Sequence, residues 1–173
     1  EKLYAFLAGH KLGRAISSAF EYSNLGFGLL GHALACRVGM SFETALTSRV
    51  LVPLSMNHTC LAWPRSSDID HALGHCAEGT PVPFWEIPTL AGAGAMRSTG
   101  SDLLNFLSFA VDGGDTPLRA AHDAQFAVRR PKKRAGDEIA LGWHVRRHGN
   151  DAYAWHNGGT GGFRSYLTFD LNR

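Results

Sequence analysis

Apolar residues recur at helical spacing through the first two thirds of the chain and in short alternating runs near its end. Leu3, Phe6 and Leu7 share one face of a helix predicted over residues 1–9. Leu25 to Val38 predicts a second helix, with Asn24 as its cap and Gly39 as its stop. Ser41 and Phe42 open a third, Glu43 to Val52, ended by Pro53. Residues 57–90, punctuated by Pro64, Pro81, Pro83 and Pro88, read as loops with short extended pieces at most. A turn at Gly92-Ala93-Gly94 follows. Ser98 or Thr99 then caps an amphipathic helix carrying Leu103, Leu104, Phe106, Leu107 and Val111. Asp102 supplies its first-turn acid, and Gly113-Gly114 ends it. Residues 117–129 read as helix. Three strands close the pattern: Ile139 to Arg146, Ala152 to His156 and Phe163 to Phe169. Helices followed by adjacent strands predict an α+β fold with an antiparallel sheet at the end.

Composition narrows the class. A chain of 173 residues, 45% hydrophobic and 18% charged, suits one folded domain and excludes intrinsic disorder. The net charge of +2 is gathered at Arg129-Arg130-Pro131-Lys132-Lys133-Arg134, which reads as a solvated loop. No aromatic residue interleaves it, so no nucleic-acid partner is expected. Apolar stretches such as Leu25 to Val38 are broken by Gly, His and Arg, so no stable membrane span is expected. Cys36, Cys60 and Cys76 follow no metal or disulfide spacing and read as buried free thiols. His71 and His75, with Cys76, His58 and Cys60 nearby, raise a metal site as a rival reading. Position 72 is Ala, which breaks the HExxH pattern, and Gly74 weakens any helix there. Scattered surface histidines are the expectation, with no metal and no cofactor.

Two clusters can carry chemistry. Tyr22-Ser23-Asn24 places a phenol and an amide two positions apart, where both can project to the same side. The phenol can exchange a proton, and the amide both donates and accepts. The alternative is an Asn helix cap preceded by a half-buried Tyr. In the second cluster, Trp155-His156-Asn157-Gly158-Gly159-Thr160-Gly161-Gly162-Phe163, four glycines between two strand-like runs let a ligand approach the backbone. His156 adds a hydrogen-bonding or cationic group at the end of the first run. The alternative is a Gly-rich hairpin with an incidental His.

Taken in order, these clusters resemble the serine β-lactamase-like superfamily of class C β-lactamases, D-alanyl-D-alanine carboxypeptidases and related esterases. The resemblance runs from about Phe20 to Asp170. Tyr22-Ser23-Asn24 and the following Leu25-Gly26-Phe27-Gly28 look like the second motif and its helix. His156-Asn157-Gly158 sits where the third motif, Lys-Thr-Gly or His-x-Gly, belongs. Pro53-Leu54-Ser55-Met56-Asn57-His58-Thr59 resembles a Pro-Leu-Gly-Met segment with Ser55 in place of Gly, and Ile16-Ser17 replaces a frequent Pro-Gly. Ala91-Gly92-Ala93-Gly94 and Arg97-Ser98-Thr99 are similar to the family's Gly-rich turn and capped helix.

The resemblance implies a partial β-lactamase/penicillin-binding-protein-like domain over residues 1–173, helical and looped to about 137 and built of antiparallel strands from 138. It implies a serine hydrolase working through an acyl-enzyme on a β-lactam, a D-Ala-D-Ala peptide or an ester. Small-molecule or peptidoglycan-peptide substrates and an extracytoplasmic bacterial location go with it. Tyr22, Asn24, His156 and Gly159 would be catalytic, and Asn157, Gly158 and Thr160 would bind substrate. No Ser-x-x-Lys occurs in these 173 residues, so the chain reads as a piece lacking the nucleophile, truncated at both ends and inactive alone. A non-catalytic binding module on the same fold is the alternative. Neither a Gly-x-Ser-x-Gly elbow nor a Gly-Lys-Ser/Thr loop is present, which removes α/β-hydrolase and P-loop readings.

Overall fold

In the computed structural model, residues 1–62, 71–127, 129–132 and 134–172 are described. Pro64 falls outside them, as does Lys133 of the basic run. Helix α1 spans Lys2–Gly9. Leu3 and Leu7 are half-buried, but Phe6 is 52% exposed and leaves the expected apolar face. Helix α2 spans Asn24–Val38, one residue longer than predicted, because Ser23 rather than Asn24 is the cap. Ser23 Oγ accepts from the Gly26 amide at 2.9 Å, and Gly39 ends the helix in the left-handed conformation.

The buried residues of α2 are Gly28, Gly31 and Ala35, a stripe of small side chains. They let the helix lie against a 3₁₀ turn at Pro88–Ala93. A Cβ on Gly28 would come within 2.6 Å of Leu90 Cβ, and one on Gly31 within 3.2 Å of Gly92 Cα. Helix α3, Phe42–Leu46, starts at the Ser41 cap and passes directly into a π-helical turn, Thr47–Leu51, where the sequence predicted one regular helix. Strands β1 (Gly74–His75) and β2 (Pro81–Val82) form a short hairpin within the loop-rich region. His75 therefore lies on a strand, which removes the helical His71–His75 pair. Cys36 is exposed, and Cys60 and Cys76 are only half-buried, so the buried-thiol expectation fails.

Helix α4, Gly100–Asp112, is capped by Thr99, whose hydroxyl accepts from the Asp102 amide at 3.2 Å. Helix α5 covers Arg119–Gln125, shorter than the predicted 117–129. A five-stranded antiparallel sheet follows in simple sequence order: β3 Arg130–Pro131, β4 Asp137–Ile139, β5 His144–His148, β6 Asp151–Thr160 and β7 Phe163–Asp170. The single strand predicted over Ile139 to Arg146 is instead a hairpin. Its turn is closed by Ala140 N–H donating to Trp143 C=O at 2.8 Å.

One core lies between this sheet and helices α4 and α5. Trp143 stacks on Phe106 at 6.0 Å and meets Phe169 edge-on at 5.0 Å, beside buried Val145, Ala154 and Ala110. Burying an indole requires an acceptor, and Gln125 Oε1 provides it at 2.9 Å. A second core gathers Leu51, Leu54 and Met56 under Phe106, Phe109 and Leu118. Asp102 ties the two regions together. It is buried, and it accepts from the His58 amide at 2.8 Å and the Thr59 hydroxyl at 2.7 Å. Its carboxylate joins the first turn of α4 to the His58–Thr59 segment.

Candidate functional site

The residues expected to form the third motif lie inside a strand rather than in a turn. β6 runs unbroken from Asp151 to Thr160, so His156, Asn157, Gly158, Gly159 and Thr160 all belong to the ladder, and only Gly161-Gly162 form the hairpin tip. Glycine weakens a strand, but here the partner strand fills the space over two of them. A Cβ on Gly158 would meet Ser165 Oγ at 2.7 Å, and one on Gly159 would overlap the Arg164 guanidinium.

Strand β5 pairs with β6 only from Asp151 to Trp155, whereas β7 pairs with it through Thr160. From His156 onward, therefore, the β5-side edge of β6 is open among the described residues. The direction of the main-chain groups follows from one bond. Ala152 C=O accepts from Leu171 N–H at 2.7 Å, so Ala152 points its polar groups toward β7. The register is free of bulges, and direction alternates with each residue. Ala154, His156, Gly158 and Thr160 likewise serve β7, while Asn157 and Gly159 turn their N–H groups to the open edge.

Side chains alternate too. Ala154, His156, Gly158 and Thr160 share the face that looks toward the core and the α2 lobe; a Cβ on Gly94 would lie 3.9 Å from Thr160 Cγ2. Trp155, Asn157 and Gly159 share the opposite face, where Trp155 stacks on Tyr166 at 5.9 Å.

Tyr22, Ser23 and Asn24, the residues expected to form the second motif, lie at the start of α2. Tyr22 is 52% exposed, with its ring 6.4 Å from Phe27. Because Ser23 takes the capping role, the Asn24 side-chain amide is left without a hydrogen-bond partner among the described residues. The segment leading into this motif reaches the sheet through Phe20, which meets the His144 ring edge-on at 6.3 Å. His144 in turn stacks on His156, centroids 5.6 Å apart. A chain of ring contacts thus joins the residue two before Tyr22 to His156.

Sequence reading missed His144 and Lys132. His144 belongs to no motif and reaches the site only because the β4–β5 hairpin carries it there. By sequence Lys132 belongs to a basic run that reads as a solvated loop. Instead its Nζ lies 3.1 Å from His144 Nδ1, and 5.7 and 5.8 Å from the Phe20 and Trp155 ring centroids. Burial, then the Lys132 charge, then His156 push the His144 imidazole down to about 4. Next to it, Arg146 grips buried Asp137 through two bonds, Nε to Oδ1 at 2.8 Å and an η nitrogen to Oδ2 at 3.0 Å. Those bonds hold the Asp137 carboxyl below its ordinary range.

Comparison with known proteins places the fold and the family. The family model described as Beta-lactamase matches residues 1–173. Penicillin-binding protein 4 of Amycolatopsis lactamdurans is 29% identical over 170 residues, covering 87% of this chain and 44% of that protein. A beta-lactamase of Pseudomonas fluorescens is 31% identical over 130 residues, covering 72% of this chain and 35% of that protein. Among solved structures, a class C beta-lactamase superposes with a TM-score of 0.87 at 22% identity, covering 99% of this chain and 54% of that one. A D-alanine carboxypeptidase from Burkholderia cenocepacia gives the same score at 23% identity, covering 99% and 58%. The chain spans about half the length of these proteins or less.

Proposed function

The chain belongs to the beta-lactamase family, and from that premise we propose that it supplies the second and third motifs of a serine hydrolase acting through an acyl-enzyme on an amide or ester bond. The observation that carries this reading is the open edge of β6, where the Gly159 N–H faces outward beside His156. A tetrahedral intermediate develops negative charge on oxygen, and an outward main-chain N–H is the donor that such an oxyanion needs. Gly159 fills that role in the proposal, with Asn157, Gly158 and Thr160 lining the strand along which substrate lies.

A serine hydroxyl is a weak nucleophile until a base takes its proton. The Tyr22 phenol, exposed at the head of α2, would share that proton with the lysine of a Ser-x-x-Lys motif contributed by sequence outside these 173 residues. Asn24, freed from capping by Ser23, would hold the substrate's amide. His156 in place of the third-motif lysine favours a peptidase or esterase over a β-lactamase. Substrates of this class are β-lactams, D-Ala-D-Ala peptides or esters.

The test is an assay of the complete protein on a peptide, an ester and a cephalosporin side by side. Turnover that collapses in Tyr22→Phe supports the assignment, whereas wild-type rates in that variant remove Tyr22 from the mechanism. The 173-residue chain alone should neither hydrolyse nitrocefin nor take a covalent penicillin label. Labelling would place a nucleophile within it. A complete protein without Ser-x-x-Lys that still binds these ligands would be a binding module on the same fold.

A further inference from the structure

Lysine has three donors and no acceptor, so a Lys132 Nζ 3.1 Å from His144 Nδ1 requires that nitrogen to be unprotonated. A neutral imidazole with an unprotonated Nδ1 carries its proton on Nε2. The tautomer of His144 therefore follows from the identity of its neighbour. Lys132 is itself confined, since Phe20 and Trp155 both present their rings to its ammonium within 6 Å.

The plane of His144 then governs its neighbour. Its ring lies 17° from parallel with that of His156, at a centroid distance of 5.6 Å. Two imidazolium ions at that distance repel each other, and Lys132 already places one positive charge beside the pair. We propose that Lys132 and His144 are positioning residues for the third motif. Together they set the ring plane of His156 and keep the imidazole stacked on it in a single neutral tautomer. The proposal rests on His156 being the third-motif residue of the hydrolase reading above.

Other charges around the pair are accounted for. Asp137, on β4, acts on His144 in the opposite sense, but its carboxylate is committed to Arg146. The segment that carries Phe20 brings Glu21, which is paired with Arg14. From β7 the residue opposite His156 is Leu167, which has no charge. Within the described residues, Lys132 is the cation held against His144.

Imidazole nitrogen NMR on the 173-residue chain tests this directly, because it needs no turnover. The expected result is His144 in the Nε2–H neutral form at pH 7 and still neutral at pH 5. In Lys132→Met the fixed tautomer should be lost and the His144 midpoint should rise, by less than the whole shift because burial remains. Lys132→Arg, which keeps a donor and a charge, should restore both. An Nδ1–H tautomer for wild-type His144 would overturn the proposal. So would a folded Lys132→Met whose His144 tautomer and midpoint match wild type. Should Lys132→Met not fold, the wild-type tautomer decides alone. Failure of the hydrolase reading would show instead as an inactive complete protein, with these titrations unchanged.

Discussion

His144 and His156 stack with their ring planes 17° apart, yet only His156 belongs to a recognisable motif. Folding buries His144, which is 8% exposed, and holds it neutral down to about pH 4. A histidine in the unfolded chain protonates near 6.5. As pH falls through this interval the unfolded state binds the proton and the folded state does not, so stability is lost. The contribution is fully present above 6.5, declines between 6.5 and about 4, and is flat below. Urea unfolding at pH 7.5 and 4.5 should show this loss, and His144→Phe should remove most of the difference between the two pH values. Asp137, whose carboxyl is depressed by Arg146, acts in a separate window. Its stabilisation is present above the ordinary carboxylate value and lost as pH falls through its lower folded value, beneath the His144 range.

Ser17 and Ser55 adopt positive φ, 62° and 55°, and both stand where the family resemblance leads to an expectation of glycine. A side chain in the left-handed region costs about 1–2 kcal/mol, against about 0.4–1 kcal/mol of added chain entropy when glycine replaces it. Ser17→Gly and Ser55→Gly are therefore each expected to stabilise the chain by up to about 1 kcal/mol. The two sites are far apart in sequence, and thermal melts should show their effects adding. A lowered melting temperature in both variants would mean that the serine side chains contribute more than the strain they impose.

Asp102 is 2% exposed and accepts from both the His58 amide and the Thr59 hydroxyl. Asp102→Ala removes both bonds at a part-buried junction, where the Thr59 hydroxyl can still turn to Ser98 Oγ at 2.7 Å, and a loss of about 1–3 kcal/mol is expected. Asp102→Asn keeps an acceptor and should lose less than half of that. Chemical denaturation of the two variants separates lost hydrogen bonds from lost charge. Equal losses would show that the charge, not the geometry, stabilises this junction.

Legibility in the sequence followed where the determining atoms were local. Helices α2 and α4 were readable because their stops, Gly39 and Gly113, and the Thr99 cap lie within the same few residues that form them. The hairpin at Ala140–Trp143 was not, because a continuous run of strand-like residues hides the bond that closes it. Gly158 and Gly159 were read as a turn from their composition. What keeps them in a strand is Ser165 and Arg164, information carried by the next strand. The two candidate clusters stand out as residue types at fixed spacing, while the groups that surround them do not. Lys132 and His144 meet only after two hairpins have formed, and no spacing rule connects them.

Gly162 and Gly79 separate backbone strain from crowding. Both have positive φ, 77° and 82°. A Cβ on Gly79 meets nothing within 4 Å, whereas one on Gly162 would overlap the Gly74 and His75 backbone. His75 N–H also donates to Gly162 C=O at 3.1 Å, so the β6–β7 tip and the β1–β2 hairpin are locked together at this point. Gly79→Ala should cost only the conformational term, about 1–2 kcal/mol. Gly162→Ala should cost that and more, since neither hairpin can yield without breaking the shared bond, and a loss of about 3 kcal/mol or greater is expected. Hydrogen exchange gives the finer readout. In Gly162→Ala the His75 amide should lose protection together with the amides at the end of β6, while in Gly79→Ala protection there should be unchanged. Matching costs in the two variants would show that the hairpins separate freely, and that the tip of β6 does not depend on β1 and β2 for its position.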